Sequence, residues 1–182
     1  MLELATLGLL QREPLHGYRL KQQLELFMSN SISVNYGAIY PLLKRLEERG
    51  ELATLVSDQT EAGLSRKTYC ITAKGSQQWY QKMMEHPHES WVNSRSRFFI
   101  KFFFFGNLEH PERIKLLEHR LSVCQLRLES LEVEQLPFFT DPYQKAVLQQ
   151  CFDVLQAEIQ WLREQLAKEQ KEQYDCELPV KI

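Results

Sequence analysis

Residues 33–50 read SVNYGAIYPLLKRLEERG, and the parsing of that stretch decides the fold. At 3.6 residues per turn, Ile39, Leu42, Leu43 and Leu46 form one apolar stripe, as a helix laid on a core would show. Asn35 suits the N-cap, where its side-chain oxygen can accept from the free N–H groups of the first turn. Gly50 suits the residue just past the end, where a left-handed conformation stops the helix. The face away from the stripe carries Tyr36, Gly37, Ala38, Tyr40, Lys44 and Arg45. Its small residues permit close approach, and its tyrosines and cations can touch a polyanion. A helix over 35–49 is roughly 20 Å long at 1.5 Å per residue and suits a DNA major groove about 12 Å wide. Pro41 removes an early intrahelical hydrogen bond and is expected to bend the helix there. An ordinary amphipathic core helix fits the same stripe, so the neighbouring segments decide.

Upstream, Leu4, Leu7, Leu9 and Leu10 predict a short apolar helix ended near Arg12-Glu13-Pro14. Leu15-His16-Gly17-Tyr18 then leads into a second helix with Leu20, Leu24 and Phe27 at helical spacing. Two short helices before a capped third make a helix-turn-helix. After Gly50 the period changes. Leu52, Leu55 and Val56, and then residues 68–72, predict two strands. Between them the polar, Gly-containing loop 57–64 projects, with Arg66 and Lys67 at its far base. A solvated hairpin fits this pattern alone; beside a recognition helix, a cationic hairpin over 57–67 reads as a wing on phosphate. Residues 72–75 cap a fourth helix with Trp79, Met83 and Tyr80 facing inward, and His86-Pro87-His88 reads as a linker.

The remainder is predicted helical. Trp91 to Phe105 holds a phenylalanine cluster stopped by Gly106-Asn107. Ile114, Leu117, Leu121, Cys124, Leu128 and Leu131 follow a three–four alternation, which Leu148, Phe152, Leu155, Ile159, Leu162 and Leu166 repeat beyond Pro137 and Pro142. Two such helices form an antiparallel hairpin whose seams can meet a second chain or close on each other. The narrow seams favour a homodimer, because two helices enclose little volume within one protomer. The charged tail from Lys168 is expected to fray. The expected division is therefore a DNA-binding domain over 1–86 and a helical, coiled-coil-like dimerisation domain over 87–182. Trp91, Phe98, Phe99 and Phe102 read as packing, with a pocket for a small apolar effector as the alternative.

Composition narrows the function classes. Net charge is −2, so no global basic field marks a nucleic-acid binder. Residues 1–84 nevertheless carry 10 Lys and Arg against 8 Asp and Glu, a mild positive bias. Cys70, Cys124, Cys151 and Cys176 show no paired spacing, and Leu2–Leu10 lacks a basic leader, which together read as a reduced, cytoplasmic chain. The apolar run 98–105 is broken by Lys101 and too short to cross a bilayer. There is no glycine-rich phosphate loop, no Gly-x-Ser-x-Gly elbow and no His-Glu-x-x-His. His86 and His88 lack further spaced ligands. No enzyme, metal or cofactor is expected.

Residues 7–20, 37–50 and 66–75 together, with the segments LGLL, PLHGYRL, GAIYPLLKRLE and RKTYCITAKG, resemble the PadR family of bacterial transcriptional regulators. The resemblance runs in order over residues 1 to about 85, and Glu158-Ile159-Gln160-Trp161-Leu162 is similar to the C-terminal domain of the longer members. It implies a mainly α protein, with a winged helix-turn-helix of three or four helices and a two-stranded wing, followed by a dimerisation domain. It implies that a homodimer binds an inverted repeat in double-stranded DNA, usually as a repressor. By the motif match, Asn35, Tyr36, Gly37, Ala38 and Tyr40 face the groove. His16 and Tyr18 sit by the phosphates with Lys44 nearby, and Arg66 and Lys67 lie on the wing. Asn35 can pair with an adenine edge or serve as a cap, Ala38 can meet a thymine methyl, and Tyr40 can pack on the core. Two alternatives stay open: a winged-helix adaptor that binds protein instead of DNA, and a redox-responsive regulator using Cys70.

Overall fold

The computed structural model describes residues 1–28, 36–56, 67–134 and 141–177. Among them the chain runs α1 (Leu2–Leu10), β1 (Leu15–His16), α2 (Gly17–Met28), α3 (Ile39–Glu48), β2 (Leu52–Val56), β3 (Lys67–Ile71), α4 (Ala73–Met84), α5 (Trp91–Phe103), α6 (His110–Glu134) and α7 (Pro142–Glu177). The fold is mainly helical with one small sheet. Two compact units divide it, Met1–Phe104 and Phe105–Ile182.

In the first unit α1 is buried on nearly every side, from Leu4 through Leu10, as expected of a helix apolar all round. Leu20 and Leu24 of α2, the Ile39, Leu42, Leu43 and Leu46 stripe of α3, and Trp79 and Met83 of α4 complete the core. Tyr80 points out instead, 43% exposed, because it follows Trp79 by one residue and so lies about 100° around the helix. The linker expected at 86–88 joins α4 to α5 inside this unit, where Phe104 meets Trp79 edge-on at 6.3 Å.

The pivotal helix starts later than its sequence suggests. Tyr36–Ala38 form a 3-10 turn, and α3 begins at Ile39 after Ala38, which makes no side-chain cap bond. Asn35 lies outside the described residues. This start bears on Pro41: it is the third residue of α3, where an N–H has no acceptor within the α-helix, so the ring removes no α-helical bond. The C-terminus follows expectation. Gly50 has φ +71, and its N–H reaches Glu47 O at 2.9 Å while Glu51 N–H reaches Leu46 O at 2.9 Å. These two bonds make a Schellman cap.

That cap is clasped by the start of α4. Thr72 Oγ1 donates to Gly50 O at 2.8 Å and accepts from Gly75 N at 3.1 Å, and Lys74 Nζ donates to Arg49 O at 2.6 Å. The sheet has the order β1-β3-β2, all antiparallel. Its third strand, β1, was not expected; at two residues it carries no period to read.

In the second unit α6 and α7 are antiparallel, since His110 meets Glu169 and Arg120 meets Glu158. Asp141 caps α7 by accepting from Tyr143 N at 2.8 Å and Gln144 N at 3.1 Å, with Pro142 at the first helical position, where it is favoured. The frayed tail expected from Lys168 is instead helix to Glu177. Glu169 explains part of this, lying 2.8 Å from His110 Nδ1 and 3.3 Å from Arg113 Nη1. Among the described residues no helix is long and apolar enough to cross a membrane.

Candidate nucleic-acid interface

β1 ends where α2 begins, and its pairing with β3 sets Leu15 opposite Tyr69 and His16 opposite Thr68. The first turn of α2 is thereby held beside the edge of the sheet. A cleft of 630 Å³ opens there, lined by His16, Gly17, Tyr18, Arg19, Tyr40, Lys67 and Tyr69. Tyr40 comes from α3 and lies close over Gly17, where an added Cβ would stand 3.0 Å from Tyr40 Cε1. Three tyrosines, two cations and a helix N-terminus converge on one hollow, a chemistry suited to phosphate oxygens.

The groups in the cleft differ in what they can offer a ligand. Burial, with the Glu47 carboxylate and Tyr40 adding, pushes the Tyr69 phenol above its ordinary pKa, so it remains a neutral O–H donor. Both ring nitrogens of His16 are buried without a hydrogen-bond partner among the described residues. Tyr18 is 66% exposed and accepts from Gln22 Nε2 at 3.2 Å. Arg19 pairs with Glu13 at 3.6 Å and Lys67 with Glu47 at 3.9 Å.

Of the residues expected to touch DNA, the fold gathers His16, Tyr18, Tyr40 and Lys67 in this cleft. Tyr40 is 54% exposed, so it is not consumed by the core. Gly37 is exposed and Ala38 half-buried in the turn that opens α3, which also contains Tyr36. Lys44 stands on the outer face of α3, 3.8 Å from Glu48. Asn35 and Arg66 lie outside the described residues. Sequence reasoning missed Gly17, Arg19 and Tyr69. Arg19 carried a signal, being a cation in the first turn of a helix; Tyr69 carried none, since alternation alone places it inward.

The other expected sites divide. Leu155, Ile159 and Leu162 are buried on the face of α7 that presents Glu158 to Arg120, whereas Leu148, Phe152 and Leu166 stay half-buried. Arg120 and Glu158 are themselves buried, with Nε and Nη2 donating to Oε1 at 2.9 and 2.7 Å. Arg120 did not figure in the sequence reading, and Glu158 figured only within the run 158–162, because a charged residue inside a heptad pattern looks solvated. Phe98 is buried, edge-on to Phe99 at 5.7 Å and tilted to Phe102 at 6.1 Å, and Arg95 lies over Phe99 at 5.0 Å. Trp91 is half-buried. A separate hollow of 370 Å³ is lined by Leu9, Arg12, Glu13, Gln23, Leu26 and Phe103. His110, Glu169 and Glu172 bring three ligand-type atoms within 4.8 Å of one another, but Arg113 already sits on Glu169 and opposes a cation there. Cys70 is half-buried, its Sγ donating to Ala53 O at 3.4 Å.

A helix-turn-helix whose third helix abuts a three-stranded antiparallel sheet, and whose exposed face collects tyrosines and cations, defines a winged-helix regulator of transcription. Residues 6–81 match the model described as Transcriptional regulator PadR-like family, and residues 94–169 match the one described as Virulence activator alpha C-term. Residues 6–81 are thus a PadR-like transcriptional regulator domain, followed by a C-terminal region of the virulence activator alpha type. The negative transcriptional regulator PadR of Bacillus subtilis (strain 168) is 28% identical over 133 residues, 72% of this chain and 71% of that one. The crystal structure of Bacillus subtilis PadR with operator DNA shares 26% identity at TM-score 0.46, covering 92% of this chain and 98% of that one. The structure of the same protein with p-coumaric acid shares 23% identity at TM-score 0.43, covering 93% and 98%.

Proposed function

We propose that this regulator represses transcription by binding an inverted-repeat operator as a homodimer, with the 35–49 segment in the major groove and the 57–67 hairpin as wing. The observation that carries the reading is the cleft that brings His16, Tyr18, Arg19, Tyr40, Lys67 and Tyr69 together from α2, α3 and β3. These residues hold the phosphate backbone. Gly37 and Ala38, with Asn35 and Tyr36, read base edges, and Lys44 and Arg66 add sequence-independent affinity. Residues 1–86 do the binding and 87–182 the pairing. A second copy meets the hairpin along Leu148, Phe152 and Leu166, which are still partly open, with Leu155, Ile159 and Leu162 supporting them from within. An apolar effector at Trp91, Phe98, Phe99 and Phe102 would act on the spacing of the two DNA-binding units. The protein works in the cytoplasm, where its DNA is.

The test is a titration of the purified protein against DNA from upstream of its own gene and against a scrambled duplex, over a range of salt. Preference for the native fragment, with affinity falling about a thousandfold or more between 50 and 200 mM salt, is the expected result for six or more phosphate contacts. Weak and salt-insensitive binding to both duplexes would overturn the reading.

A further inference from the structure

We infer that Glu47 limits the affinity of this protein for DNA of any sequence, by acting as a fixed counter-charge to Lys67 at the root of the wing. The inference rests on the DNA-binding reading above and deepens it. Glu47 lies near the end of α3 and turns its carboxylate to the sheet. Oε1 accepts from Thr54 Oγ1 on β2, and Oε2 lies 3.9 Å from Lys67 Nζ on β3. Thr54 is paired across the ladder with Tyr69, and Lys67 with Val56, so one carboxylate touches both strands from which the hairpin leaves the sheet. Its charge reaches the cleft, where it helps hold the Tyr69 phenol protonated.

Each cation named for phosphate contact that the structure describes, Arg19, Lys44 and Lys67, has a carboxylate within 4 Å. The three carboxylates differ in how they are held. Glu13 and Glu48 have side chains 52% and 61% exposed and can swing into solvent when a phosphate arrives. Glu47 is 34% exposed and fastened by Thr54. It stays in place, pulls on Lys67 and repels the incoming phosphate. That repulsion is the same for every base sequence. It trims the backbone share of binding and leaves more of the discrimination to the recognition helix.

E47Q keeps the acceptor for Thr54 and the shape of the side chain while removing the charge. The full-length protein and its variants would be titrated against a random-sequence duplex by fluorescence anisotropy. At about 50 mM salt E47Q is expected to bind about threefold to tenfold tighter than wild type, with the gain shrinking by about 200 mM as screening shortens. K67A should cost more affinity in the E47Q background than in the wild type, a coupling that a merely structural Glu47 would not produce. Binding by E47Q no tighter than by a wild type that itself binds with salt dependence would overturn this inference alone. A wild type that binds no duplex at low salt would overturn the DNA-binding reading and this inference with it.

Discussion

The two units of this protein are held together by opposite means. Residues 1–104 bury an apolar helix on nearly every side and lock α3 to α4 through the backbone carbonyls of Arg49, Gly50 and Glu51. The hairpin of α6 and α7 instead buries a charged pair, Arg120 with Glu158, in the middle of its seam. Three neighbouring helices and a sheet can close a core; two helices cannot, and their seam keeps Leu121, Leu128, Leu148 and Phe152 half-buried. In the first unit close packing specifies the arrangement. In the second, the seam adds a hydrogen-bonded ion pair whose directed geometry resists sliding, which apolar seams of similar side chains do less well.

The largest effect should come from the hairpin. Arg120→Met or Glu158→Leu alone leaves a buried charge without its partner and is expected to lower stability by about 3–5 kcal/mol. The double variant should recover most of that loss. Urea unfolding followed by helical circular dichroism would measure all three. A double variant as unstable as the singles would mean that the pair is not an isolated register device, and that the contrast between the units is wrong.

The first unit also buries charged side chains, Glu51 and Lys101, and the pH dependence of Lys101 is a finer test. Lys101 is buried, and burial, with Arg97 adding, lowers its pKa from 10.5 to about 8 despite Glu85 and Glu89; its ammonium donates to Glu85 O. Between about pH 8 and 10.5 the unfolded chain holds this proton and the folded chain has shed it, so stability rises with pH across that window. Wild type should therefore gain on Lys101→Met by about 3 kcal/mol between pH 8 and 10.5. Unfolding midpoints of both proteins at the two ends would show it. A constant difference would mean that Lys101 keeps its proton in the fold.

A smaller loss is expected at the clasp between α3 and α4. A Cβ on Gly75 would stand 2.1 Å from Glu51 O, a backbone atom that cannot rotate aside. Gly75→Ala should cost about 2–3 kcal/mol, well beyond what improved helix propensity returns. Its thermal unfolding should show the first unit melting earlier while the hairpin is unchanged. An unchanged melting temperature would show the clasp to be soft, and the packing contrast weaker than drawn.

Much of this protein is written in short-range pattern. The stripe Ile39, Leu42, Leu43 and Leu46, the Gly50 stop, the Thr72 cap and the two three–four alternations each act within a few residues, so they could be read before any contact was known. The matches to two family models, over residues 6–81 and 94–169, cover these same runs. What tertiary structure decided are relations between distant residues. The two-residue β1 has no period, yet its pairing with Tyr69 and Thr68 holds the first turn of α2 at the sheet edge, where the cleft gathers Arg19 and Tyr69. Pro41 looked like a kink until the start of α3 at Ile39 placed it where no α-helical bond is lost. Arg120 and Glu158 looked like solvated heptad charges until the hairpin turned them towards each other. Periodicity reports which face of an element is apolar, and the partner that face meets is settled only when separate elements compete for the same buried surface.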